Sequence, residues 1–168
     1  MAILNILKED RHIAELKKKS RPVEKINKRI TTLLDDMRET LKEAGGIGLA
    51  APQIGVLRRV AIIEIDEGDL IEMINPDIVF RDGEQMEIEG CLSSPGKYAE
   101  TKRPMNIKVE YTDRNGDKKE REGTELLARA FCHEIDHLDG VLCFDNAVRI
   151  LSKEEVDEMN KDEDDEQE

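Results

Sequence analysis

His133 and His137 stand four residues apart, with Glu134 directly after the first. On a helix, four residues make about one turn, so both imidazoles project from one face. Two imidazoles placed this way can converge on a single cation. Glu134 beside them is suited to exchanging protons with a water on that cation rather than to ligating it. The plainer alternative is a surface pair on a charged helix. The chain has only three His in all, so a chance pair around a Glu is rare, and the metal site is the stronger reading.

A catalytic ion needs a third protein ligand and an open position. No His follows His137, which excludes a ligand set completed by a downstream His. Cys91 is the stronger candidate. It lies in Glu89-Gly90-Cys91-Leu92-Ser93, a Gly-bearing segment that lets backbone approach a ligand closely. A thiolate with two imidazoles leaves one tetrahedral corner open. Glu154 or Glu155 could instead supply a carboxylate, as in thermolysin-like endopeptidases, although a capping role also accounts for Glu155. Cys132 adjoins His133, and adjacent helix positions diverge by about 100°. It and Cys143 read as small buried apolar residues. His12 has no partner nearby in sequence and reads as a surface residue.

These groups must be held by larger elements. The apolar steps of residues 124–138, closed by Asp139-Gly140, predict the helix that carries both His. Val23, Ile26, Ile30, Leu33, Leu34, Met37 and Leu41 predict a long helix over residues 23–44, stopped by Gly45-Gly46. Strands are expected at residues 60–65, 71–74 and 78–80, with Asn75-Pro76 as a turn between the last two. Residues 105–112 and 118–122 read as a hairpin around Asn115-Gly116. Ser152-Lys153-Glu154-Glu155 is a capping-box pattern for a short third helix, and residues 161–168 read as a disordered acidic tail. The fold class is α+β with mainly antiparallel sheets. Residues 1–151 are expected to form one catalytic domain, and residues 152–168 an appendage.

Composition narrows the function. The chain has 168 residues and a net charge of -13. Residues 152–168 hold ten acids and two Lys, against 29 acids and 24 bases in the remainder. Such a balance argues against a general or specific nucleic-acid binder, since phosphate contacts need a basic face. The one locally basic stretch is residues 8–29, with nine bases and four acids. No apolar run approaches the ~20 residues that span a bilayer. An odd number of Cys without an export signal suggests thiols in a reducing cytoplasm.

Three segments together resemble the peptide deformylase family. They are Gly46-Ile47-Gly48-Leu49-Ala50-Ala51-Pro52-Gln53, Glu89-Gly90-Cys91-Leu92-Ser93 and His133-Glu134-Ile135-Asp136-His137. Their order, their approximate spacing and the long helix before the first extend the resemblance over residues 1–150. Two positions depart from the common pattern. Cys132 stands where Gln often precedes the first His, and Tyr98 stands where an Arg is common. Both bear on pocket shape and neither is a ligand.

The resemblance implies antiparallel sheets packed around a central metal-binding helix. It implies hydrolysis of the formyl group on the initiating methionine of new polypeptides, releasing formate. Cys91, His133 and His137 would hold the ion. Water activated on it would attack the formyl carbonyl, with Glu134 as general acid and base. Gln53 and the backbone N–H of Leu92 would donate to the developing oxyanion. Gly46, Ile47 and Gly48 would bind the peptide as an added strand. Ile47, Leu126 and Ala130 would line the methionine pocket. Zinc suits the donor set by softness, but the resemblance points to Fe2+ as the working ion, with Zn2+ as the alternative. The implied partners are N-formylmethionyl nascent peptides, with any transient ribosome contact expected at residues 8–29.

Overall fold

A computed structural model describes residues 1–167. The chain opens with a short helix, α1 (Glu9–Leu16), that the sequence pattern does not announce. The long helix follows as α2 (Lys28–Ala44), and it begins later than residue 23. The Asn27 side chain accepts from the Arg29 and Ile30 N–H groups and caps the helix. Ile30, Leu33, Leu34, Met37 and Leu41 form its buried stripe, and Gly45 closes it in the left-handed conformation.

A five-stranded antiparallel sheet runs in the order β1 (Gly48–Ala50), β2 (Val60–Glu64), β3 (Leu70–Asp82), β6 (Asn106–Thr112), β7 (Lys118–Thr124). Alternation along β2 assigns its two faces. Val60 and Ile62 join the α2 stripe, whereas Ala61 and Ile63 join the core beneath the His-bearing helix α3 (Leu126–Leu138). Because both faces are covered, β2 reads as a continuous apolar run. β3 replaces the two strands expected around Asn75-Pro76. Asn75 takes a positive φ of 52° and the register with β6 shifts there, so the pair makes a bulge instead of a reversal.

A second sheet, β4 (Gln85–Gly90), β5 (Lys97–Arg103) and β8 (Arg149–Ser152), covers the other side of α3. β1 and β4 are each the edge strand of their sheet. Finally α4 (Lys153–Glu166) starts at the Ser152–Glu155 capping box. It continues through residues 161–166, where no ordered element was expected, and it buries no residue. Glu168 lies outside the described residues. Among the described residues, no helix is long and apolar enough to cross a membrane.

Candidate metal centre

α3 is the axis of the site. Ala128, Phe131, Cys132, Ile135 and Leu138 anchor it in the core, which fixes the opposite face toward the second sheet. On that face His137 Nε2 lies 3.2 Å from His133 Nε2 and 3.4 Å from Cys91 Sγ. Around a tetrahedral zinc, with nitrogen at ~2.0–2.1 Å and sulfur at ~2.3 Å, such donors stand ~3.3 and ~3.6 Å apart. The three side chains are thus spaced as ligands of one ion, and their chemistry fits a borderline-soft cation.

The electrostatics sharpen this. His137 is almost wholly buried, its Nδ1 has no partner, and burial holds it well below the usual imidazole range. Burial also opposes a charge on His133, but Cys143, Cys91 and Glu89 around it together raise it. His133 Nδ1 sits 3.0 Å from Glu89 Oε1. Glu89 in turn accepts from Thr101 and Arg103, and Arg103 also pairs with Asp136. Burial would raise the Glu89 carboxyl, yet the hydrogen bonds from His133 and Arg103 hold it at about 2. Glu89 is therefore ionised at neutral pH and orients the His133 ring, the usual office of a carboxylate behind a ligating His.

Glu134 belongs to neither candidate ligand trio among the described residues. Its carboxyl is buried, Oε2 has no hydrogen-bond partner, and burial raises it to about 7. It rests against Gly48, where an added Cβ would come within 2.5 Å of Oε1. That close approach is why a Gly stands there.

Gln53 comes from the 3-10 turn Ala51–Ile54 that follows β1. Its Oε1 accepts from the Ala50 N–H at 2.9 Å. The amide nitrogen must then face the other way, 3.1 Å from Ser93 Oγ and 3.6 Å from Cys91 Sγ. The Cys91–Leu92 peptide has its carbonyl tied to the Ser94 N–H at 2.9 Å. Because this peptide is trans, the Leu92 N–H points to the opposite side, and no acceptor meets it among the described residues. The Gln53 amide thus lies beside Cys91, and the Leu92 N–H is the next backbone donor along the chain.

A cleft of about 670 Å³ opens onto this centre. Gly46, Ile47 and Gly48 line one wall, and Leu126 and Ala130 another. Ile47 and Leu126 are about 40% exposed, so they are available to an apolar ligand. Tyr98 lines the cleft too, and so do Ile88 and Arg129, which were not singled out from sequence. The alternation of Met86 and Ile88 just before Cys91 was the signal for Ile88.

Three sequence expectations change. Glu154 and Glu155 are exposed on α4, Glu155 accepts from the Ser152 N–H, and no candidate cluster includes either among the described residues. The thermolysin-like ligand set is overturned. Cys143 is buried as expected but is not a bystander: it forms a second trio with Glu89 and His133, with donor atoms all within 4.8 Å. The turn at Gly140 returns the chain beneath α3, which no spacing rule reports. His12 is half-buried, and its Nδ1 accepts from the Lys8 N–H at 3.3 Å.

Comparison with known proteins agrees with this geometry. The family described as Polypeptide deformylase matches residues 3–153. A peptide deformylase of Thermoanaerobacter pseudethanolicus is 54% identical over 146 residues, covering 87% of this chain and 91% of the relative. One from Caldanaerobacter subterraneus is 55% identical over 142 residues, covering 84% and 89%. The crystal structure of a peptide deformylase from Legionella pneumophila superposes with a TM-score of 0.83 at 38% identity, covering 95% of this chain and 96% of that one. Matched length, identity and backbone agree, and the chain belongs to the peptide deformylase family.

Proposed function

We propose that this chain hydrolyses the N-formyl group of the initiating methionine on newly made polypeptides, with Cys91, His133 and His137 holding the catalytic ion. The observation that carries the reading is the three ligands at tetrahedral spacing, with the Gln53 amide beside Cys91 and the free Leu92 N–H next along the chain. Water adds to the formyl carbon, the C–N bond breaks, and formate and a free amine leave.

An ion bound by these residues lowers the pKa of water and polarises the formyl carbonyl. The protein's own groups do the rest. The Gln53 amide and Leu92 N–H donate to the formyl oxygen as its negative charge grows. The Glu134 carboxylate takes the proton of the attacking water and returns one to the leaving nitrogen. The edges of β1 and β4 flank the cleft and suit an extended peptide held through its backbone. Such binding tolerates any sequence beyond the first residue. Burying a methionine side chain against Ile47, Leu126 and Ala130 contributes ~1.5–3 kcal/mol, enough to favour Met at that position. Residues 1–151 carry all of this machinery, with 152–168 an appendage to it. Three free thiols accord with a reducing cytoplasm.

The direct test is formate release from an N-formylmethionyl peptide by protein loaded anaerobically with iron. One formate should appear per free amino terminus. Cleavage of internal peptide bonds instead would overturn the assignment. Full activity after aerobic handling, with only zinc bound, would replace iron by zinc.

Ribosome contact belongs to the same proposal. Arg21, Lys25, Lys28, Arg29 and Arg58 line one groove with Glu24 and Asp36, and none of these cations pairs with a carboxylate among the described residues. Co-sedimentation with ribosomes should weaken steeply with salt and with Arg21→Glu/Arg29→Glu, while surviving removal of residues 153–168. Loss on removing those last residues would refute this surface.

A further inference from the structure

We infer that residues 7–9 are a strap that sets the two oxyanion donors relative to one another, with Lys8 as a positioning residue. The inference rests on the oxyanion roles proposed above for Gln53 and Leu92. The observations are independent of those roles. The Leu7 N–H donates to the Gln53 backbone carbonyl at 2.7 Å. The Lys8 ammonium donates to the Leu92 carbonyl at 3.0 Å. The Glu9 N–H donates to the Ser93 carbonyl at 2.8 Å. Three consecutive residues thus tie the turn carrying one donor to the loop carrying the other.

Besides the Gln53 amide on Ser93 Oγ and Cys91 Sγ, the loop is held through its backbone carbonyls. Its three successive peptide units, from Cys91 to Ser94, offer their carbonyls to Ser94, Lys8 and Glu9 in turn. Two of the three restraints therefore come from the strap. Glu9 is fastened separately, its carboxylate accepting from Ser94 Oγ at 2.6 Å and pairing with Lys97 at 3.2 Å. Lys97 in turn lies 4.2 Å over the Phe144 ring. Lys8 reaches the Leu92 carbonyl through its side chain, so this restraint can be removed without touching the backbone. The sequence offers no warning of this role, because the contacts span 84 residues.

Orientation of a donor by a few tenths of an ångström matters more to a growing oxyanion than to a bound substrate. Lys8→Met should therefore lower kcat about tenfold, with KM within twofold and ion content unchanged. Lys8→Arg, which keeps a cationic donor of similar reach, should recover most of the loss. Lys19→Met, an exposed Lys outside the strap, should match the parent. Gln53→Ala is run beside them and should lose 10²–10³ in kcat. Normal kcat in Lys8→Met beside a defective Gln53→Ala would overturn the strap alone. A rise confined to KM would make Lys8 a substrate contact and overturn it too. Normal kcat in Gln53→Ala would remove the oxyanion roles, and the strap's function with them.

Discussion

Glu134→Ala should retain its ion and its fold but lose roughly 10²–10⁴ in kcat, the usual contribution of a positioned proton-transfer group. The expectation follows from where the carboxyl sits. It is one residue from a ligand, yet it belongs to neither candidate ligand trio, and Oε2 meets no donor. A buried carboxyl without a partner is costly to keep ionised, which is why burial lifts it to about 7. A structural role would have supplied a partner, as Arg103 is supplied to Glu89. Glu134→Gln sharpens the test because it keeps the shape. In ion-free protein it should melt at or above the parent temperature, since a neutral amide replaces a desolvated acid, while formate release still collapses. Metal analysis and formate release on the same preparations decide the matter. Near-normal turnover in either variant would remove Glu134 from the proton transfer.

The Gly48 contact extends this argument. Gly48→Ala would put a methyl into the space of the Glu134 carboxylate, so the Gly loop does two jobs at one residue. It leaves room for the acid beneath, and under the proposed function it would give the peptide an unobstructed strand edge. From sequence, only the second of these could be stated, because Gly48 and Glu134 are 86 positions apart.

The same limit explains which parts of the fold were legible. α3 was readable because its apolar anchors and its two His follow one helical period. The α2 stripe was readable for the same reason, and only its start was displaced, since Asn27 caps a helix that Val23 and Ile26 merely approach. β5 was not readable. Its sequence is Lys-Tyr-Ala-Glu-Thr-Lys-Arg, and its inward positions are filled by Ala99, Thr101 and Arg103. Thr101 and Arg103 serve the Glu89 network rather than an apolar core, so no hydrophobic alternation marks the strand. α1 was hidden by its charge and by burying only Leu16. At the site, the ligands could be named from residue type and local spacing. Glu89 could not be assigned behind His133, nor Cys143 beside it, because each pairing is made by tertiary structure alone.

Cys91→Ala should abolish both ion binding at one equivalent and formate release, while Glu154→Ala and Glu155→Ala leave both intact. Cys91 is not part of a regular strand. It sits just past the end of β4, where Gly90 packs against the Tyr98 ring and the Ser94 N–H closes the following turn. That geometry brings a soft, anionic donor to two imidazoles that α3 and Glu89 already hold in place. Removing it leaves a two-His site with a gap at 3.4 Å from His137 Nε2, and among the described residues Glu89 is the one carboxylate that belongs to a candidate ligand trio. Glu89 is committed to Arg103 and to the far nitrogen of His133, and moving it would strand a buried guanidinium. The variant should therefore fold, because the core clusters do not include Cys91. It should also resist rescue by excess ion. Ion retained at one equivalent in Cys91→Ala, with activity above background, would show that the third ligand lies elsewhere.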